Sequence, residues 1–573
     1  MAGIYGVFLE DRKIKVGLEF ASKNLNKNEF ATEEGVVGRS VLTKITQDRF
    51  FETRNEITIC FEGVNLSETR DANQFFSEYA VKGISFIKEL RGTFSGFIYD
   101  RELGKIFVFN DNLSTKNIFY YYDKKVGFIF SSELYALSKF LKKEKINYSI
   151  ERDAIYMMSL YGFLLEDTTY IKEVKKLPYG SLIVYDIDNS IMDIQKYQRY
   201  SSEKIDIPYK DALHQVNELV EASVLKNWQK DTQYTRKHIS FLSGGMDSRA
   251  NVLIAKELGF DNITALTFGD SNSKDVEYAQ KMAIGEKFNH YIRLLNSPQY
   301  LIDNIIENYV IPVDGLMMFH TSAHAYSSVK SLNLTDYATI HTGQLGDALF
   351  GAFKIDNYDI HKNKGSIGYT GFVSDNSLLD KISALPEILN KYHDLGFELY
   401  IYEQRQINAT IVGDRSLNDI IDNVSPFFDL DLINFCLSLP NKFKKNQIIY
   451  FDWLKKYHYH VLQYPWDKIN MKPSNKYKFV YGKLFKKYVN GGKKYFNFNY
   501  DSMNPYHRWL SNDLTIINTL DTIFETEIES DYFDKEIKKD LTDIYNKNIF
   551  EFRNKFAVIT ALLAMKLYFD KGQ

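Results

Sequence analysis

The sequence predicts an α+β domain followed by an α/β domain with a helical extension, and three successive patterns along its 573 residues support this. Up to about residue 200, short apolar or alternating runs separated by polar turns indicate layered antiparallel sheets. After about residue 208, strand-like runs alternate with helix-length segments, which is typical of a doubly wound parallel sheet. Beyond about residue 375 the pattern is mostly helical. We therefore predict a first domain at 1–200 and a second domain that begins at 208.

The individual elements follow from the period of the apolar residues. In the first domain the predicted strands are 4–9, 56–63, 95–100, 105–110, 126–133 and 181–186, and the predicted helices are 73–90 and 131–143. In the second domain the predicted strands are 237–243, 262–269, 290–295 and 337–343, and the predicted helices include 211–230 and 248–260. The apolar stretch 556–565 is too short for a membrane span and predicts a buried helix.

Composition excludes several classes of protein. The formal net charge of -3 gives no sign of a dedicated nucleic-acid binder. Two cysteines, Cys60 and Cys436, exclude a disulfide framework and fit a reducing cytosol. Charged residues near the start argue against a signal peptide, and no apolar run is long enough to span a membrane. We expect a cytoplasmic protein.

A glycine-rich turn carries the strongest motif, Ser243, Gly244, Gly245, Met246, Asp247 and Ser248. It follows the apolar strand at 238–242 and precedes a predicted helix. Glycines let the backbone approach an anion closely, and a helix start offers free N–H groups to phosphate. Because Asp247 would repel phosphate, its presence suggests a Mg2+ ion between carboxylate and polyphosphate. The alternative is a plain strand-to-helix turn with a capping Asp.

A second motif, residues 342–351, follows the strand predicted at 337–343. Loops after parallel strands gather at one edge of the sheet, so Asp347 could complete a Mg2+ site with Asp247. Alone, this second motif would be read as an ordinary turn.

Together these motifs resemble the asparagine synthetase family. Ser-Gly-Gly-x-Asp-Ser is similar to the pyrophosphatase loop of N-type ATP pyrophosphatases, and 342–351 resembles the family's Ser-Gly-Glu-Gly-Ala-Asp-Glu-x-Phe-Gly-Gly. Pro-Phe-Phe-Asp at 426–429 is similar to its Pro-Phe-Leu-Asp. Residues 90–100, 130–137 and 176–180 resemble motifs of its amino-terminal half. The resemblance covers residues 1 to about 480, so it implies a second domain at 208–480 and leaves 481–573 as a helical carboxy-terminal extension.

The resemblance implies a fold, a reaction and site residues. The fold would be an Ntn-type αββα sandwich, an amidotransferase-like domain, followed by an ATP pyrophosphatase (PP-loop) domain. The reaction would activate a carboxylate with ATP as an acyl-adenylate, release pyrophosphate, and transfer the acyl group to an amine or ammonia. Carried over by position, the metal ligands are Asp247 and Asp347, and the residues lining the ATP site include Phe241, Phe268, Thr342 and Gly343. For the family's active-site lysine we choose Lys472, with Lys468 as a close rival.

Departures from the family pattern predict altered chemistry. Ala2 stands where glutamine-dependent members carry a nucleophilic cysteine, so we expect an inactive glutaminase half. The glutamine-binding motifs are also eroded, at 61–66 and 110–117. In the synthetase half, Gln344 takes the place of an acidic residue. Its amide cannot act as a base, but we keep Gln344 as a candidate catalytic residue because of its position in the motif. Residues 314–319 and Val424 depart as well, so the acid, the amine or both differ from those of asparagine synthetases.

The leading hypothesis is an AMP-forming amide ligase that uses ATP and Mg2+. Its substrate could be a small molecule, a peptide or a sugar acid, with ammonia or a substrate amine as acceptor. Glutaminase-dead relatives perform β-lactam closure and lasso-peptide cyclisation. The rival hypothesis is a degenerate, non-catalytic nucleotide-binding or scaffold homologue. A homodimer is possible on the basis of the sequence, which does not determine the oligomeric state.

A histidine pair and a lysine-rich stretch are two further features of the sequence. His320 and His324 lie one helical turn apart, and a packed histidine pair is favoured over a zinc site. Residues 472–500 contain eight lysines and no acidic residue. A solvated helix face is the default interpretation, and an anionic acceptor is the alternative.

Overall fold

The computed structural model describes residues 2–10, 16–22, 25–68, 71–353, 359–370, 375–482, 503–547 and 552–570. Most of the lysine-rich stretch therefore lies outside the described residues. The strands of the first 200 residues are β1 (Gly3–Leu9), β2 (Asn26–Ala31), β3 (Val36–Val41), β4 (Phe50–Arg54), β5 (Ile57–Asn65), β6 (Gly92–Asp100), β7 (Lys105–Asn110), β8 (Phe119–Asp123), β9 (Gly127–Ser131), β10 (Val174–Lys176), β11 (Ser181–Asp186) and β12 (Ile191–Lys196).

These strands form two six-stranded antiparallel sheets, with the orders β10-β8-β9-β1-β3-β2 and β12-β11-β7-β6-β5-β4. Large buried side chains of both sheets meet in one core, including Phe8, Phe97 and Phe128. On the outer face of the second sheet, α1 (Ala72–Lys82) places Phe75 against Phe61, with ring centroids 5.2 Å apart. Helices α2 (Leu134–Lys143) and α3 (Arg152–Tyr161) share a core with the other sheet. The predicted αββα sandwich is confirmed.

A five-stranded parallel sheet forms the second half, as predicted. Its strands are β13 (His238–Phe241), β14 (Ile263–Gly269), β15 (Asn289–Leu294), β16 (Thr339–His341) and β17 (Asp422–Val424), in the order β15-β14-β13-β16-β17. All four pairings are parallel. Because β13 and β16 are neighbours, the loops that follow them meet at one edge of the sheet.

Helices surround this sheet and form the carboxy-terminal region. They are α4 (Tyr209–Gln233), α5 (Met246–Glu257), α6 (Lys274–Glu286), α7 (His320–Lys330), α8 (Gly346–Leu349), α9 (Asn376–Leu379), α10 (Leu385–Leu395), α11 (Phe397–Tyr400), α12 (Val412–Asp414), α13 (Leu430–Ser438), α14 (Asn441–Lys444), α15 (Ile448–Tyr457), α16 (Tyr506–Asn512), α17 (Leu514–Glu527), α18 (Lys535–Asn546) and α19 (Phe552–Phe569).

Shorter turns of other helix types connect these helices. The 3-10 segments are Gly83–Glu89, Pro298–Leu301, Ile311–Val313, Arg415–Leu417, Pro426–Phe428, Lys445–Gln447 and Tyr459–Gln463, and the π-helical segments are Ile306–Val310 and Ile401–Ile411. The apolar stretch 556–565 lies in α19 and is buried, as expected. Across the described residues, no helix combines the length and hydropathy that a membrane span requires.

Buried ion pairs join the amino-terminal half to the parallel-sheet half. Asp422 of β17 accepts hydrogen bonds from Arg49 and, at 2.6 Å, from Lys116. Asp314 binds Arg415 at 3.1 Å and accepts a hydrogen bond from the backbone N–H of Leu134. Asp314 belongs to the segment that departs from the family pattern, and here it has a structural role between the two halves.

A buried carboxylate anchors α4 beneath the central strands. Asp231 accepts hydrogen bonds from His238 at 3.0 Å and from His341 at 2.7 Å, and also from the hydroxyl of Thr339. These separations are those of hydrogen bonds, so the cluster holds the sheet to the helix on which it packs.

Candidate active site

The glycine loop, residues 242–245, connects β13 to α5 as the sequence predicted. Ser243 and Ser248 close the loop, because their hydroxyl oxygens lie 2.8 Å apart. The backbone N–H of Ser243 donates to the Ser248 hydroxyl, and that of Gly245 donates to the Ser243 hydroxyl. The loop therefore leads directly to the helix start at Met246, where backbone N–H groups lack helical partners and attract anions.

Arg249 supports the glycine loop from beneath and was not singled out from the sequence. Its guanidinium donates to the carbonyls of Gly244 at 2.7 Å and Gly245 at 3.0 Å. It also donates to the carbonyls of Tyr464 and Pro465, so one buried side chain ties the loop to a distant segment. Burial lowers the pKa of Arg249 to about 10, which leaves it charged at neutral pH.

The second motif packs directly against the glycine loop through its own glycines. A Cβ atom on Gly343 would lie 2.3 Å from the backbone of Asp247 and Ser248. One on Gly346 would lie 2.8 Å from the Asp247 carboxyl carbon. Only glycine permits this approach, because any other residue would place its Cβ inside these contacts. The packing places Asp347 beside Asp247.

The two carboxylates interact strongly. Burial, and then the negative charge of Asp347, raises the pKa of Asp247 to about 7. The hydroxyl of Tyr450 donates to Asp247 Oδ1 at 2.6 Å and fixes the orientation of the carboxyl group. Tyr450 stacks on Phe350 of the second motif, with ring centroids 4.7 Å apart. The structure thus brings together the two predicted metal ligands and adds an orienting tyrosine that the sequence had not indicated.

The two candidate lysines occupy different places. Lys468 Nζ lies 3.2 Å from Asp347 Oδ2. Burial lowers its pKa, but the carboxylates of Asp347, Asp247 and Asp467 outweigh burial and raise the pKa overall. Lys472 is exposed, one residue beyond a short bridge between Trp466 and Met471. The geometry favours Lys468, and the choice of Lys472 stays a prediction.

The chemistry of this pair suits a hard divalent cation. Mg2+ prefers carboxylate oxygens, usually takes only one or two from the protein, and completes its shell with water and phosphate. Asp247 and Asp347 offer two carboxylates whose mutual repulsion a cation would relieve. The donor set therefore fits Mg2+.

A cavity of about 690 Å3 opens beside the second motif, whose Thr342 and Gln344 line it. Phe241 and Phe268 line it with their rings perpendicular, 5.4 Å apart, and Thr342 lines the same end. Gln344 reaches it from the second motif, and its amide Nε2 lies 3.4 Å from Asp414 Oδ1. Of the predicted ATP-site residues, Phe241, Phe268 and Thr342 line this cavity, and the glycine-loop residues and Gly343 do not. Asp414 is a further carboxyl there that the motifs did not reveal.

In the amino-terminal half, the eroded motifs make contacts within the protein. Glu62 pairs with Arg49 at 3.1 Å and is fully buried. Asp111 accepts hydrogen bonds from the backbone N–H groups of Phe94 and Leu113. Cys60 is buried within β5, as expected. These side chains are engaged in holding their own loops and strands.

Comparison with known proteins assigns a family to each half of the chain. A model of the glutamine amidotransferase domain matches residues 50–198, and a model described as asparagine synthase matches residues 215–406. The glycine loop and the cavity-lining residues from Phe241 to Tyr369 fall within the asparagine synthase match. The lining residues from Thr410 to Arg553 lie beyond it.

Two curated relatives are similar over part of their length. A putative glutamine-hydrolysing asparagine synthetase 2 of Methanocaldococcus jannaschii is 25% identical over 49% of this chain and 54% of its own length. A glutamine-hydrolysing asparagine synthetase 2 of Bacillus subtilis is 25% identical over 38% of this chain and 29% of its own length. The chain thus spans about half or less of the curated relatives it matches.

Solved structures give weaker similarities. A glutamine phosphoribosylpyrophosphate amidotransferase from B. subtilis, complexed with ADP and GMP, is 8% identical, with a TM-score of 0.19, over 46% of this chain and 52% of its own. A structure described as the allosteric regulatory enzyme of purine biosynthesis is also 8% identical, with a TM-score of 0.20, over 47% of this chain and 68% of its own.

Proposed function

The chain belongs to the asparagine synthetase family, and on this basis we propose that it is an ATP-dependent ligase that joins a carboxylate to an amine or ammonia through an acyl-adenylate. The observation that carries the proposal is the pair Asp247 and Asp347, held together at the ends of two neighbouring parallel strands. Two carboxylates in this position repel each other unless a cation joins them. A site kept in this form is suited to a magnesium-bound triphosphate.

Each part of the site has a role in this proposal. The glycine loop and the start of α5 bind the pyrophosphate of ATP, and Phe241, Phe268 and Thr342 hold the adenosine. Lys468 adds positive charge where the pyrophosphate leaves. Asp247 and Asp347 would hold Mg2+, which neutralises charge on the leaving pyrophosphate. The substrate carboxylate attacks the α-phosphorus, pyrophosphate departs, and the amine nitrogen then displaces AMP from the acyl carbon.

We also propose that the amino-terminal half does not hydrolyse glutamine. The two cysteines of the sequence, Cys60 and Cys436, are both fully buried. Burial raises the pKa of both thiols, that of Cys436 to about 12, so neither offers a thiolate to a substrate. The pairing of Glu62 with Arg49 further supports the loss of glutamine binding. The nitrogen would then come from free ammonia or from an amine substrate.

The direct test is Mg2+-dependent ATP binding by calorimetry, followed by pyrophosphate release with a panel of carboxylic acids. We expect Asp247→Asn to reduce pyrophosphate release about a hundredfold or more. The matched control is Asp261→Asn, the same chemical change at an exposed residue before β14, which should leave release unchanged.

Two results would count against the proposal. If wild type and Asp247→Asn release pyrophosphate equally with every acid, the proposal that this protein is a ligase is wrong. If ATP binds with Mg2+ but no acid or amine promotes its cleavage, the non-catalytic nucleotide-binding homologue becomes the better explanation.

A further inference from the structure

Asp414 presents a carboxyl to the cavity and pairs with no cationic side chain in the part of the chain that the structure describes. It ends α12, directly after the π-helical segment Ile401–Ile411, and such segments are frequent at functional sites. Its Oδ1 makes only a long contact, 3.4 Å, with the Gln344 amide. Its Oδ2 is shielded from solvent and has no hydrogen-bond partner among the described residues. Burial raises the pKa of Asp414 to about 8.

Other polar atoms around the same cavity also lack partners. Among the described residues, no hydrogen bond reaches the Nδ1 atoms of His320 and His324 or the hydroxyls of Ser322 and Ser416. Burial lowers the pKa of His320 to about 3 and that of His324 to about 4, so both rings are neutral at physiological pH. Buried polar groups without partners cost free energy, and a cluster of them around one cavity indicates a ligand that supplies the bonds.

The carboxy-terminal region builds the apolar wall of this cavity. Tyr506 of α16 and Phe552 of α19 line it. The ring of His320 stacks on Phe556 of α19, with centroids 4.3 Å apart, so this region is packed firmly against α7. Arg508 pairs with Asp270 at the end of β14. The wall therefore comes from a part of the chain outside the asparagine synthase match.

The size and charge of the cavity favour one kind of second substrate. Its volume of about 690 Å3 is in the range of small-molecule sites, and it extends from the proposed adenosine residues Phe241 and Phe268 to Tyr506 and Phe552. A carboxylate placed near Asp414 would oppose ionisation of the Asp414 carboxyl, whereas an ammonium group would favour it. Arg553, the cationic residue among those lining the cavity, is exposed and contacts the Tyr369 carbonyl at 3.4 Å.

We propose that the nitrogen donor is a primary amine with an apolar body held against Tyr506 and Phe552. It binds as an ammonium to Asp414, gives one proton to that carboxylate, and the freed nitrogen attacks the acyl carbon as AMP leaves. The proposal rests on the ligase function proposed above and names its acceptor. Gln344 lies beside the bound ammonium and links this subsite to the loop that carries Asp347. Free ammonia is then a poor substrate, because it cannot use the apolar wall.

The test measures direct binding of 2-phenylethylamine as a probe amine, with 2-phenylethanol as the uncharged analogue and 3-phenylpropionate as the anionic one. We expect the amine to bind wild type most tightly. Asp414→Asn should weaken amine binding about ten- to a hundredfold and leave the alcohol unaffected. Phe552→Ala should weaken the binding of both. Asp394→Asn, at an exposed aspartate of α10, is the matched control.

Three outcomes would overturn the inference: equal amine binding by wild type and Asp414→Asn, tighter binding of the carboxylate, or no amine binding to wild type at millimolar concentration. Calorimetry of Mg2+-ATP on the same samples separates this from the ligase proposal. If wild type does not bind Mg2+-ATP, the ligase proposal is rejected. If wild type binds Mg2+-ATP but Asp414→Asn binds the amine as tightly as wild type does, only the amine subsite is rejected. Circular dichroism of each variant confirms that it is folded.

Discussion

The coupled carboxylates should make the ligand-free protein less stable at alkaline pH. The pKa of Asp247 rises from an ordinary 3.8 to about 7 in the folded chain. The folded state therefore holds a proton on Asp247 that the unfolded state has already lost between these values. Stability must fall as the pH rises from about 4 to about 7, and it stays reduced above that.

The size of this effect can be bounded. At about 1.36 kcal/mol per pKa step, the shift corresponds to at most about 4 kcal/mol. Asp247 is only partly shielded from solvent, which reduces the effect, so we expect about 1–3 kcal/mol. Asp247→Asn removes the charge and keeps an oxygen to accept the hydrogen bond from Tyr450. In a protein of this size, where about 1 kcal/mol shifts the unfolding temperature by about 1 °C, the variant should unfold about 1–3 °C higher than wild type at pH 8.

The assay is thermal unfolding in EDTA at pH 5 and pH 8, repeated with Mg2+-ATP. The advantage of Asp247→Asn should shrink at pH 5, where Asp247 is protonated in the folded wild type. Mg2+-ATP should stabilise wild type and not the variant. Asp261→Asn should follow wild type throughout. If Asp247→Asn is no more stable than wild type at pH 8, or shows the same pH dependence, the two carboxylates do not interact as described.

Further expectations concern the loop, the lysines and the junction between the halves. Arg249→Lys should lower stability by at least about 2 kcal/mol and weaken ATP binding, because one ammonium cannot serve four carbonyls, as denaturation and calorimetry would reveal. Lys468→Met should reduce pyrophosphate release more than Lys472→Met, and a larger effect at Lys472 would restore the sequence-based choice. Asp422→Asn should destabilise the protein by about 3–5 kcal/mol, since it removes the buried carboxylate that Arg49 and Lys116 share. Burial alone would raise the pKa of Asp422, but Arg49 and Lys116 lower it to about 2. Wild type should therefore lose this contribution only as the pH falls from about 4 to 2, which acid unfolding would show and the variant should not.

Local pattern was sufficient for most of the architecture. Strands with clear apolar runs, such as β1 and β14, were predicted because their periodicity is local information. The exposed strand β2, Asn-Lys-Asn-Glu-Phe-Ala, was missed because it has little apolar content to reveal a buried face. The three-residue β17 was also missed, since its pairing with β16 is set by the sheet and not by its own residues.

The candidate site likewise contains features that the sequence predicted and features that only the structure revealed. The sequence by itself determined the position of the glycine loop and of the two aspartates, because each belongs to a continuous motif after a strand. Phe241, Phe268 and Thr342 were predicted as ATP-site residues from the family resemblance. Only the tertiary structure decided that Arg249 clamps the loop, that Lys468 reaches Asp347, and that Asp414 faces the cavity across from the carboxy-terminal helices. These contacts join residues far apart in the chain, and their energies depend on distance and burial. Neither distance nor burial can be obtained from the amino-acid sequence alone.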